Sequence, residues 1–282
     1  MKFLTSLLSH YAQILYVVLL LPFVFGLLLY FFSKSARNVF VRAGVPAVDI
    51  YVTGWIGVPI HELGHALFCL VFAHKITDIQ LFKPSKSEGT LGYVTHSYDS
   101  KNWYQSLGNF FIGCGPLIFG VLMLYFLTVL FFSATFSLPA VQVVSVHTIS
   151  FTSFFATLWH FLRQSFGNFY AFFSRQDFSS WQFWLYVYLS LAVSSHTQLS
   201  VADIKTMLRG LLILCLVLLV GALAAEVWQF SAAAWLAGTT LMNYVYALLL
   251  FAICVSALNF VITYVCMVVV YAIRKRELLL PW

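Results

Sequence analysis

The chain has 282 residues, of which 62% are hydrophobic and only 9% charged. About a quarter of the residues in a soluble domain are charged, so this composition excludes a soluble globular protein and reads as an integral membrane protein. The net charge of +6 does not point to nucleic acid, because the basic residues are spread through connecting segments, where they act as topology signals.

At roughly 20 apolar residues per crossing, the length allows about six to eight helices and little else. The first apolar run, 11–32, follows Lys2 but lacks a small-residue cleavage site, so it reads as an uncleaved span. A second span covers 47–73. Residues 74–102 then form the one clearly polar insertion. "ITDIQLF" (76–82) and "TLGYVTHSY" (90–98) are rich in β-branched and aromatic residues around the turn chemistry of "KPSKSEG", which predicts a hairpin at the membrane surface. His74 and His96 within it read as surface histidines.

A third span covers 105–132. Residues 133–180 are apolar but rich in Ser, Thr and Phe, with His147, His160, Arg163 and Arg175, and are expected to form a re-entrant pair or interfacial helices. A short apolar segment at 181–196 opens with interface-type aromatics. Two further spans cover 204–225 and 243–272, and "RKRELLLPW" at the C-terminus reads as a surface anchor. Cys69, Cys114, Cys215, Cys254 and Cys266 all lie in apolar segments and read as free thiols. The expected fold is therefore an all-α polytopic membrane protein. It is a single domain over 1–282, with about six transmembrane helices and a small β-hairpin after the second span.

Charge sets an expected orientation. With six spans and the N-terminus inside, ten of the 15 Lys and Arg residues fall on the inner side and five on the outer side.

Inside the second span stands "HELGH". Ionisable residues are costly in a bilayer, and their presence there points to function. On a helix His61 and His65 lie four residues apart on one face, where both imidazoles can reach one zinc ion. Glu62 lies beside that face, placed to take a proton from water rather than to bind metal. With eight His and four Glu in the chain, chance produces this pattern roughly a few times in a thousand such chains.

A catalytic zinc needs three protein ligands and an open position, so a third ligand must come from elsewhere. Asp49 begins the same helix about 18 Å from His61, which is too far. Asp203 opens the fifth span in "SSHTQLSVADIK", where Ser200 and Asp203 also form a capping box. His196 in the same loop is the rival ligand, and Glu226 at the far end of that span is a third choice. In the expected orientation the motif, Asp203 and His196 all fall on the inner side.

At this point the chain resembles the site-2 protease family of intramembrane zinc metalloproteases. The resemblance rests on "HELGH" within a span, on "GNFFIGCGPLIFG" (108–120), similar to the family's Gly-Pro-bearing helix, and on an aspartate at the start of a later span. It covers roughly residues 47–132 and 196–225. The aspartate stands here in "VADIK" rather than in the family's Leu-Asp-Gly context, the pattern of a divergent member.

The resemblance implies one zinc per chain, held by His61, His65 and Asp203, with Glu62 as the base. It also implies hydrolysis of peptide bonds in or near the transmembrane segments of a membrane-protein substrate. The active site would face the cytoplasmic side of the cell membrane. The edge of the hairpin would pair with an unwound substrate strand. The alternative is a membrane protein that binds zinc through the same residues without proteolysis, as a transporter, sensor or inactive relative.

Overall fold

The computed structural model describes residues 2–84, 91–133, 151–230 and 240–275. Helix α1 (Lys2–Leu15) and helix α2 (Leu21–Arg42) are joined by a π-helical turn, Tyr16–Leu20, into one continuous rod. The expected span 11–32 is the middle of that rod. A π-turn shifts the backbone hydrogen-bond register, and inside a membrane each freed carbonyl needs a partner. Tyr246 supplies one, its hydroxyl donating to the Val17 carbonyl at 2.6 Å.

A short turn, α3 (Pro46–Val48), runs through a second π-helical stretch, Asp49–Gly54, into α4 (Trp55–Val71), which carries the motif. Strands β1 (Lys75–Gln80) and β2 (Tyr93–Ser97) pair antiparallel, with Ile79 opposite Val94. The hairpin thus forms where the residue pattern predicts it, although the tip, 85–90, lies outside the described residues. Helix α5 (Trp103–Phe132) starts at Asn102, whose side chain accepts from the Tyr104 and Gln105 amides. Helices α6 (Phe151–Phe173), α7 (Trp181–Ser195), α8 (Val201–Val227) and α9 (Thr240–Lys275) complete the described chain.

Among the described residues, five helical runs are long and apolar enough to cross a membrane: Phe3–Arg42, Pro46–Val71, Trp103–Phe132, Val201–Val227 and Met242–Ile273. The protein is an all-α, multi-pass membrane protein with a small β-hairpin. Helix α7, at 15 residues, is about 22 Å long and shorter than the hydrocarbon layer. Of the stretch expected to be re-entrant or interfacial, 134–150 lie outside the described residues. Its remainder contains α6, whose Phe161 is fully buried against Phe25 and Tyr246. Residues 276–282 of the expected C-terminal anchor also lie outside.

Polar bonds tie α2, α7 and α9 together. Ser33 donates to the Ser194 carbonyl at 2.6 Å, and Asn259 Nδ2 donates to the Leu191 carbonyl at 3.2 Å and to Ser194 Oγ at 2.8 Å. Interhelical bonds of this kind are worth about 0.6 kcal/mol each within a membrane.

Small residues bring the site-bearing helices together. A methyl group on Gly64 of α4 would meet the Gly115 carbonyl oxygen of α5 at 2.7 Å, and one on Gly115 would meet Gly64 O at 2.6 Å. Gly113 of α5 faces the backbone of Asp203 and Met207 in α8 in the same way. Helix α5 is therefore the shared partner of the helix with the motif and the helix with the aspartate. Helix α1 lies along the far half of α8, where Tyr11 OH donates to Cys215 O at 3.0 Å and Ser6 Oγ donates to Glu226 Oε2 at 3.0 Å.

Candidate metal centre

Helix α4 reaches the motif through a weakened start. Pro59 lies inside it, two residues before His61, and has no N–H to donate to the preceding turn. From there the helix is regular, so the four-residue spacing stacks His61 and His65 with ring centroids 5.1 Å apart. Helix α8 begins with the capping box read from the sequence. Ser200 Oγ accepts from the Asp203 amide at 3.2 Å, and Asp203 Oδ2 accepts from the Ser200 amide at 2.5 Å. The cap leaves Asp203 Oδ1 available, and it lies 3.0 Å from His65 Nε2, while Oδ2 lies 3.5 Å from His61 Nε2.

The three ligand atoms of His61, His65 and Asp203 all lie within 4.8 Å of one another. Donors 2.0–2.1 Å from a tetrahedral zinc sit roughly 3.3 Å apart; His65 Nε2 lies 3.0 Å from one Asp203 oxygen and His61 Nε2 lies 3.5 Å from the other.

The bonds behind the rings sharpen the fit. His61 Nδ1 lies 2.8 Å from the His196 carbonyl and His65 Nδ1 lies 2.8 Å from the Ile112 carbonyl. A carbonyl only accepts, so each Nδ1 carries a proton, and each ring turns its Nε2 towards the Asp203 carboxylate. Two imidazoles and a carboxylate placed in this way could hold a metal ion, and anchoring a ligand histidine through its other nitrogen is the usual arrangement behind a metal. His65, Asp203 and Glu62 are buried, and His61 is half-buried.

Glu62 sits one residue along from His61, outside the ligand trio. A methyl group on Gly92, just before β2, would meet Glu62 Cγ at 3.0 Å. The loop end of the hairpin therefore lies against the Glu62 side chain.

His196 is turned elsewhere. Its Nε2 lies 3.2 Å from Thr53 Oγ1, and the Thr53 hydroxyl is 2.7 Å from the Asp49 carbonyl. Asp49 also accepts from Arg37 Nε at 3.0 Å. What His196 brings to the cluster is its backbone carbonyl, not its imidazole. Glu226 is held by Ser6 at the opposite end of α8. Reading residue types missed the Ile112 and His196 carbonyls, because a backbone acceptor has no residue-type signature.

His74 is not the surface residue its polar segment implied: it is only 4% exposed. Its Nε2 donates to Gln105 O at 2.7 Å, its Nδ1 lies 3.0 Å from His96 Nδ1, and its ring stacks on Tyr98. The pair locks the hairpin to the start of α5. Burial, then the positive neighbours His74, His65 and Arg209, hold His96 down to about 4 from an ordinary 6.5. Burial also lowers His74.

Between those two values the unfolded chain binds a proton that the folded hairpin refuses, so this attachment loses stability as pH falls from 6.5 towards 4. Amide exchange across residues 93–97 should accelerate from pH 7 to pH 5 beyond its intrinsic change. His96→Gln should reduce that excess to the part that His74 contributes, and an equal excess in both proteins would refute the assignment.

Comparison of the chain with protein-family models, with curated proteins and with solved structures returned no match.

Proposed function

We propose that the chain is a zinc-dependent endopeptidase that hydrolyses peptide bonds in or near the transmembrane segments of other membrane proteins. One observation carries the reading. Two imidazole Nε2 atoms and a carboxylate converge beside the middle of the apolar helix α4, with both rings anchored through Nδ1 and a buried glutamate alongside. Two nitrogens and one oxygen suit zinc better than magnesium or calcium, which prefer all-oxygen sites.

A zinc ion there would polarise a carbonyl and acidify a water. The protein's own contribution is orientation and proton transfer. His61, His65 and Asp203 are ligands, and Glu62 receives the proton of the attacking water and passes it to the departing amine. With α7 counted as a crossing beside the five long runs, ten of the 15 Lys and Arg residues fall on the side of the N-terminus, which supports an active site facing the cytoplasm.

The decisive experiment is the zinc content of the purified protein, beside His65→Ala, Asp203→Ala and His196→Ala. The expected result is one zinc per chain, lost in the first two variants and kept in the third. Absence of zinc from the intact protein after refilling would end the reading. Zinc without cleavage of any membrane-segment peptide would favour a transporter or sensor.

The hairpin supports a second element of the proposal. The Ile79 amide donates to the Asp78 side chain, Oδ1 at 2.8 Å, so an unwound substrate strand that docks along β1 would take over this amide from the carboxylate. Ile79→Pro or Val94→Pro should lower processing with zinc retained. Unchanged processing would remove the hairpin from the proposal.

A further inference from the structure

In an α-helix the carbonyl of each residue accepts the amide four residues on. Four residues after Ile112 stands Pro116, inside α5, and proline has no amide hydrogen. The Ile112 carbonyl therefore has no intrahelical donor. Ile112 is 1% exposed, so no bulk water reaches it, and a buried backbone acceptor left without a partner is destabilising. The hydrogen that fills the gap is the one on His65 Nδ1, at 2.8 Å.

His61 shows the same logic by another route. Its Nδ1 donates to the carbonyl of His196, the C-cap of α7, and the last carbonyls of a helix also lack intrahelical donors. Both imidazoles thus rest on helix carbonyls that are open, one because a helix ends and one because a proline interrupts it.

We propose that Pro116 is a positioning residue for the metal centre: by withholding an amide, it leaves the Ile112 carbonyl free to hold His65 through a protonated Nδ1, with Nε2 directed towards Asp203. The proposal rests on the metal reading given above and assigns this proline a chemical task beyond bending its helix. With alanine at 116 an amide competes for the same carbonyl. The His65 ring then loses the bond that fixes its tautomer and its angle.

Two consequences have opposite signs. Loss of a bond of this kind behind a ligand weakens metal binding by roughly 10–100-fold. Proline inside a helix is destabilising, so its replacement by alanine should leave the metal-free protein as heat-stable as before or more so. The exchange is sterically mild, since alanine keeps the Cα and Cβ that face α4 and only removes ring carbons.

The test uses the full chain, wild type and Pro116→Ala, titrated with zinc against a chelator. Thermal unfolding in excess chelator and ¹⁵N shifts of the histidine rings in the metal-free protein complete it. Expected are zinc binding weakened by roughly 10–100-fold, an unchanged or raised unfolding temperature, and a His65 signal that moves from the Nδ1-protonated form to a mixture. Unchanged affinity together with an unchanged tautomer would overturn the proposal. So would an affinity loss accompanied by a lowered unfolding temperature, which would mean that Pro116 is merely structural. Should wild type bind no zinc at all, the metal reading fails, but the tautomer of His65 still decides the role of Pro116.

Discussion

Glu62→Gln should abolish peptide hydrolysis and leave zinc in place. Glutamine keeps the size of the side chain but has no carboxylate to accept a proton. Removing a positioned general base lowers rate by about 10²–10⁴-fold. The residues that could hold a metal are His61, His65 and Asp203, and Glu62 stands outside that group, so zinc stoichiometry should not change. The measurement is cleavage of membrane-segment peptides beside zinc content, both on the purified full chain. Cleavage at the wild-type rate would dismiss Glu62 as the base. Loss of zinc would instead move Glu62 into the ligand set.

Gly64→Val should do broader damage. The positions a side chain would occupy at Gly64 are taken by backbone: Gly115 O at 2.7 Å, Gly115 C at 2.8 Å and Pro116 Cα at 2.8 Å. Backbone atoms cannot step aside as a flexible side chain can, so α4 and α5 must separate. Overpacking of this kind costs about 1–3 kcal/mol. His65 follows directly in the chain and donates across the same contact to Ile112, so the separation also opens the site. Stability and zinc affinity should fall together, in contrast to Pro116→Ala, where they part. Gly167 of α6 is the internal control, because nothing lies within 4 Å of the position its Cβ would take. Gly167→Ala should be neutral or stabilising by about 0.5–1 kcal/mol. Equal stability losses at both glycines would show that helix separation is not the cause.

The five long apolar helices and the hairpin were legible because burial in lipid and pairing in a strand both write themselves into residue type. Hydropathy placed the spans, and β-branched residues around a turn placed the strands. The π-turns at 16–20 and 49–54 were not legible, since they differ from α-helix by a single shifted hydrogen bond. Within the site, the four-residue spacing of His61 and His65 needs only helix geometry to read. The choice between Asp203 and His196 could not be made from spacing, because both sit around the same loop. The direction of the His196 ring depends on Thr53 and Asp49, more than 140 positions away in the chain. His74 was misjudged because the segment that carries it is polar, whereas Tyr98, His96 and Gln105 fold over it. The Gly-Pro step of α5 held a readable signal: a proline four residues after a buried carbonyl marks an acceptor in search of a donor.

The contact of α1 with the far end of α8 bears on how the molecule is made. Ser6 and Glu226, which bond at 3.0 Å, are separated by 220 positions, and His10 lies 2.9 Å from the same carboxylate oxygen. At synthesis rates of 5–20 residues per second, the first helix emerges roughly 10–45 s before its polar partner exists. During that interval Ser6 and His10 must be satisfied by water, lipid headgroups or the insertion machinery. The opening helix therefore completes its assembly late, when the segment carrying Asp203 at its other end arrives. A nascent chain released between residues 203 and 226 would therefore carry Asp203 but lack the Glu226 partner of its first helix.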